Sequence, residues 1–198
     1  MSGLILASAS AVRARLLRGA GVPFEVRPAA VDEDEVKAAL LAEGEGPDAI
    51  ADALAELKAV RVSQSRPDAL VLGCDQVLSF EGRLIAKSAD LEQARALLKA
   101  LRGKTHMLLT AAVLAKGGTP IWRRLERATL TVRPFSDGFL EAYLRGEGAE
   151  ALSCVGCYRL EGPGAQLFER LDGDYFSVLG LPLISLLAAL RDHGILER

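Results

Sequence analysis

The apolar positions fall into short runs and helical stripes that alternate along the chain. Gly3 to Ala7 is a brief apolar run that predicts a buried strand. Ser8-Ala-Ser10 interrupts it, and Val12 to Gly19 then reads as a helix with Ser10 at its N-cap. Phe24 to Arg27 is a second strand candidate, followed by an acidic turn, Asp32 to Glu35. Pro47 suits the first turn of a long helix that carries Ile50, Leu54, Leu57 and Ala59-Val60 and runs to about Ser65. Ala69 to Gly73 is wholly apolar, as in a strand covered on both faces.

The second half continues the alternation. Val77 to Phe80 and Arg83 to Ala86 flank Glu81-Gly82, a hairpin pattern. Asp90 caps a helix through Leu101, which Gly103 ends. Two long strands follow around 106–115 and 120–133, joined at Gly117-Gly118. A helix over Phe139 to Leu144 stops at Gly146, and a last strand is predicted over Gly156 to Glu161. After a Gly-rich loop comes a closing helix from Pro182 to His193. This order predicts a mixed-sheet α/β or α+β architecture in a single unit over 1–198, bent into two lobes around a cleft.

Composition narrows the class. With 198 residues, half of them hydrophobic and a quarter charged, the chain can bury a sizeable core without disulfides. A net charge of −2 supplies no basic field for a nucleic-acid backbone, and 5% aromatics argues against a base-stacking platform. No stretch approaches the roughly 18 apolar residues of a membrane span, and the N-terminal charge order is the reverse of a signal peptide. A cytoplasmic protein with no nucleic-acid or membrane partner is expected. Three cysteines suit a reducing compartment. Cys154-Val-Gly-Cys157 reads as small buried side chains, with a redox pair as the competitor; a zinc site lacks two further ligands at suitable spacing.

Five groups of residues offer chemistry. Ser8, Ser10 and Arg13 stand at a strand-to-helix junction, where free N–H groups and the helix dipole favour an oxyanion. Asp75 follows the apolar strand, where α/β sheets place ligands and where burial can tune a carboxylate. Lys58 and Lys87 can neutralise phosphate oxygens. Asp32 and Glu33 offer the hard oxygens a divalent cation takes. Glu161-Gly-Pro-Gly-Ala165, Asp172-Gly-Asp174-Tyr175 and Gly180-Leu-Pro182 allow close backbone approach to a ligand, and Glu161 can accept hydrogen bonds from a base edge. Each has a plain alternative as cap, surface charge or loop punctuation.

In order and spacing these pieces resemble the Maf family of nucleotide pyrophosphatases. The match includes Leu6-Ala-Ser-Ala-Ser10 with Arg13, Val31-Asp32-Glu33 and Leu54-Ala-Glu-Leu-Lys58-Ala59. It continues through Gly73-Cys-Asp-Gln76-Val77, Ala86-Lys87, Leu101-Arg-Gly-Lys-Thr-His106 and Gly180-Leu-Pro-Leu183. The resemblance implies a two-lobed fold related to the inosine-triphosphate pyrophosphatases, usually a homodimer. It implies metal-dependent cleavage of a nucleoside triphosphate into a monophosphate and pyrophosphate, with magnesium, manganese or cobalt. By it Asp75 activates water, Ser8, Arg13, Lys58 and Lys87 hold the triphosphate, and Glu33 and Asp75 hold the metal. Val12, Gln76 and Glu161 fall at the base-selecting positions, and the last two resemble the branch acting on 7-methyl-GTP. Val12 departs from that branch, which has a tryptophan suited to stacking on a cationic purine. Ser88 also departs, standing where a proline follows the lysine. A non-catalytic, nucleotide-sensing regulator of cell division is the alternative function.

Overall fold

The computed structural model describes residues 3–197 and is a mixed α/β fold. Its strands are β1 (Leu4–Leu6), β2 (Phe24–Val26), β3 (Leu70–Phe80), β4 (Arg83–Ile85), β5 (Thr105–Lys116), β6 (Thr119–Val132) and β7 (Phe168–Asp172). Its helices are α1 (Ala11–Gly19), α2 (Glu33–Ala42), α3 (Pro47–Ser65), α4 (Leu91–Leu101), α5 (Asp137–Glu147), α6 (Tyr175–Val178) and α7 (Leu183–Asp192). The strand order is β2-β1-β3-β5-β6-β7, with β4 paired to β3. The chain divides into two compact units, one of 1–76, 109–126 and 174–198, the other of 77–108 and 127–173.

In the first unit β1 runs parallel to both β2 and β3, with Leu4, Ile5 and Leu6 opposite Leu70, Val71 and Leu72. Parallel strands covered on both faces are apolar throughout, and all three residues of β1 are buried. Alternation then sorts the side chains by face. Leu4, Leu6, Leu70, Leu72 and Cys74 pack with Ala14 and Leu17 of α1 and Leu183, Leu186 and Leu190 of α7. Ile5, Ala7, Ala69 and Val71 turn the other way and meet Val62 of α3. Gly73 points to that second face, where a Cβ would lie 2.1 Å from the Ala55 carbonyl oxygen and 2.6 Å from the Ala59 nitrogen. Only glycine lets α3 lie this close to β3.

The second unit pairs β3 with β4 in antiparallel fashion, Leu78 opposite Ile85, across the turn at Glu81-Gly82. There β6 pairs antiparallel with β7. Buried Ala94, Leu98 and Leu101 of α4, and Leu140, Tyr143 and Leu144 of α5, belong to its core. A bidentate pair, Arg95 to Glu141 at 2.7 and 3.0 Å, links the two helices.

Most expected elements are present, and Ser10 and Asp90 cap their helices as predicted. Four expectations need correction. The acidic turn is the start of α2: Asp32 accepts the Glu35 N–H, and three acidic residues occupy a first turn that the helix dipole favours. The apolar run at 69–73 and the first arm of the hairpin are one strand, so Asp75 sits inside β3. The α5 helix runs through Gly146 to Glu147, with Gly148 as its C-cap. Gly156 to Glu161 is turn, and the strand lies later, at β7. Cys157 there has φ +57, which a strand does not allow. Among the described residues no helix is long and apolar enough to cross a membrane.

Candidate active site

Asp75 and Gln76 are neighbours on β3 and therefore face opposite sides of the sheet. Asp75 shares the α3 side with Gly73, and the close approach that Gly73 permits brings Lys58 of α3 onto it. The Lys58 ammonium donates to Asp75 Oδ1 at 2.7 Å. The same nitrogen lies 2.7 Å from Glu33 Oε1, at the first position of α2. Lys58 and Asp75 are buried, with side chains 8% and 7% exposed, whereas that of Glu33 is 41% exposed. A charge this deep is tolerated only when paired, and one ammonium between two carboxylates meets that need. Asp75 Oδ2 is also buried but has no hydrogen-bond partner among the described residues.

The serine and arginine cluster forms around the N-terminus of α1. Ser10 Oγ accepts the Arg13 N–H at 3.3 Å, and Ser8 Oγ accepts the Ser10 N–H at 3.2 Å. The Arg13 side chain folds back over this turn. Its Nη1 donates to Ser8 Oγ and to the Cys74 carbonyl, each at 3.1 Å, and its Nε donates to the Gly180 carbonyl at 2.7 Å. Arg13 is thus anchored one residue from Asp75 along β3. Burial pushes the Cys74 thiol up to about 11 against the opposing pull of Arg13 and Lys58. That thiol is a packing group and no nucleophile.

Gln76, on the opposite face, donates its amide N–H groups to Thr110 Oγ1 at 2.8 Å and to the Ser177 and Val178 carbonyls at 3.0 Å. Val12 lies half-buried on α1 beside Arg13. Within the first unit the fold therefore joins Ser8 and Arg13 in one cluster and Glu33, Lys58 and Asp75 in another.

Lys87 and Glu161 belong to the second unit and are exposed. Both act electrostatically on Cys154, Lys87 lowering and Glu161 raising its proton affinity. Burial raises the thiols of Cys154 and Cys157 above their ordinary value, and both cysteines are free. A redox pair works through a lowered thiol in at least one cysteine, and both shifts here run the other way. In the same unit His106 Nε2 is 2.6 Å from the Tyr158 hydroxyl, and its buried Nδ1 has no partner among the described residues.

Among the described residues no group of three or more His, Cys, Asp or Glu side chains is arranged to hold a metal ion. The two carboxylates on Lys58, with the unpartnered Oδ2 of Asp75, are the donor set on offer. That set fits a hard cation such as magnesium, which takes one or two carboxylates and completes its shell with phosphate oxygens and water. Sequence reasoning missed the backbone partners, the carbonyls of Cys74 and Gly180, and the hydroxyl of Thr110. Carbonyls carry no residue signature, so only the Gly-Leu-Pro punctuation hinted at one of them.

Comparisons with known proteins agree on the chain's kinship. The family model for Maf-like protein matches residues 3–193. A nucleoside triphosphate pyrophosphatase of Caulobacter vibrioides is 54% identical over 99% of this chain and 98% of its own. One of Granulibacter bethesdensis is 53% identical over 98% of each. A 7-methyl-GTP pyrophosphatase of Brucella abortus is 47% identical, again over 98% of each. Among solved structures, a HAM1 protein from Coxiella burnetii matches at a TM-score of 0.41 and 13% identity, over 67% of this chain and 73% of that one, a loose likeness only. Matched from Gly3 to His193, and half-identical to relatives of its own length, the chain belongs to the Maf-like protein family.

Proposed function

We propose that this chain is an enzyme, a nucleoside triphosphate pyrophosphatase that hydrolyses its substrate to a monophosphate and pyrophosphate. The observation that carries the reading is the pairing of Lys58 with Asp75 beside an anchored Arg13. Phosphoryl transfer asks a protein mainly for positioning and charge neutralisation, and this arrangement offers both. Asp75 Oδ1 is held by Lys58, which leaves the unpartnered Oδ2 to take a proton from the attacking water. As that proton moves to Oδ2, the water oxygen bonds to phosphorus and the anhydride bond between the α and β phosphates breaks. Ser8, Arg13, Lys58 and Lys87 hold the triphosphate oxygens.

Asp75 and Glu33 are the residues that would hold a divalent cation, which when bound supplies neutralising charge at the phosphate oxygens. The substrate is a modified or non-canonical nucleotide, and Val12, Gln76 and Glu161 are the residues set to choose its base. Two Brucella relatives carry the name 7-methyl-GTP pyrophosphatase, which makes that nucleotide the first to try. Asp75→Asn keeps an acceptor for Lys58 and removes the base. Folded protein with pyrophosphate release lowered at least about 100-fold is expected, in the range of general-base loss. Undiminished turnover would remove Asp75 from the role.

A further inference from the structure

We propose that Arg159 is a positioning residue for Glu161. Its fork onto Glu147 fixes the turn 159–162, and the carboxylate held on that turn tells guanine from other bases. The inference rests on the reading of Glu161 as a base-choosing residue, and all three residues lie in the second unit. Glu147 is the last residue of α5, and its side chain is only 3% exposed. Burial and the negative end of the helix dipole both disfavour a carboxylate there. Arg159 answers both. Its Nε donates to Glu147 Oε2 at 2.8 Å and its Nη2 to Oε1 at 3.1 Å, while Nη1 reaches the exposed Glu150 at 3.4 Å. A buried ion pair adds little net stability over apolar packing, but a planar two-bond fork fixes one orientation.

The backbone of Arg159 carries that fix into the turn. Its carbonyl accepts the Gly162 N–H at 3.2 Å, which closes Arg159-Leu160-Glu161-Gly162 with Glu161 at the third position. The Gly162 carbonyl in turn accepts the Ala165 N–H at 3.1 Å. Gly164 presses on the same residue, since a Cβ there would lie 2.5 Å from the Arg159 carbonyl oxygen and 2.7 Å from its nitrogen. Arg159 is thus gripped at its side chain by Glu147 and at its backbone by Gly162 and Gly164, with exposed Glu161 between the two glycine contacts. The Glu147 hydrogen bonds lead the causes that raise the Arg159 proton affinity, and the Glu161 charge also contributes. A carboxylate only accepts hydrogen bonds, so it separates bases by the N–H groups they present. Guanine presents two side by side, the ring N1–H and the 2-amino group, whereas hypoxanthine presents only the first. A carboxylate held in place meets both donors without first losing freedom, and a loosened one gives up part of the second bond.

The test measures by titration calorimetry the Kd of inorganic tripolyphosphate and of the α,β-methylene analogues of GTP and ITP, which resist cleavage. Arg159→Lys keeps the charge and loses the fork. The double variant Glu147→Leu with Arg159→Met exchanges the pair for apolar groups and so keeps the fold without it. Both are expected to shrink the preference for the guanine analogue over the hypoxanthine one by a factor of roughly three to ten, the value of one hydrogen bond. Tripolyphosphate affinity stays at the wild-type value in both. In a Glu161→Ala background the preference is already gone, and Arg159→Lys changes it no further. A preference that survives both variants, or an equal loss for tripolyphosphate, would overturn the brace. If the wild type shows no preference, or Glu161→Ala leaves it intact, the base-choosing reading of Glu161 fails and the brace falls with it. If Glu161→Ala abolishes the preference and the Arg159 variants do not reduce it, only the brace fails.

Discussion

Lys58→Met leaves a carboxylate buried without its counter-ion. Methionine nearly matches the volume of the lysine stem, so the packing against β3 is kept and the loss is electrostatic. Lys58 and Asp75 are both under a tenth exposed, and Oδ2 already lacks a partner among the described residues, so removing the ammonium strips Asp75 of the bond at Oδ1. Glu33 is far more exposed and can turn to water, so nearly all of the cost falls on Asp75. Breaking a buried pair from one side costs about 3–5 kcal/mol. For a chain of this length that is a fall in melting temperature of roughly 6–20 °C. Urea titration at pH 7 in low and high salt measures it, and the loss should be nearly the same in both, because a buried pair is poorly screened. Adding Asp75→Leu should recover most of it. A loss below about 1 kcal/mol, or one that disappears in salt, is the behaviour of a surface pair and would refute the burial argument.

Two further predictions come from the second unit. Burial lowers His106 to about 4, so it is neutral in the folded chain while the unfolded chain takes up a proton near 6.5. Stability should therefore fall as pH drops through that window, by at most about 3 kcal/mol from this group. His106→Gln should flatten that part of the pH profile, and an unchanged slope would contradict the assignment. Cys154 and Cys157, both raised by burial, should alkylate more slowly than a free thiol. Cys157→Ser should match the wild type in activity under oxidising and reducing conditions, and a redox-dependent difference would reinstate the thiol switch.

What could be read from the chain depended on how local the cause was. Ser10 and Asp90 cap helices through atoms three residues away, and Pro47 opens α3 by its own geometry, so these elements were legible. The acidic run at 32–35 was misread because charged residues without an apolar stripe look like a loop, and α2 has no buried residue to mark it. Gly156 to Glu161 has strand-like residues in Tyr158 and Leu160, yet tertiary contacts impose a turn. Gly164, for instance, packs so tightly that a Cβ would lie 2.5 Å from the Arg159 carbonyl oxygen. The site followed the same rule. Asp75, Lys58 and Arg13 were picked out by type and spacing, but apart from Ser8 the partners Asp75, Cys74 and Gly180 lie 17 to 167 residues from the side chains that bond them. That Asp75 and Gln76 serve opposite faces of β3 follows from its continuing past Gly73, which the glycine had concealed.

Hydrolysis between the α and β phosphates fixes which products form, so product identity is the decisive measurement. Incubating the protein with a panel of nucleoside triphosphates that includes 7-methyl-GTP, in magnesium, manganese or cobalt, and following the phosphorus spectrum should show monophosphate and pyrophosphate growing in equal amounts. Diphosphate with inorganic phosphate, or no product from any of the triphosphates, would contradict it.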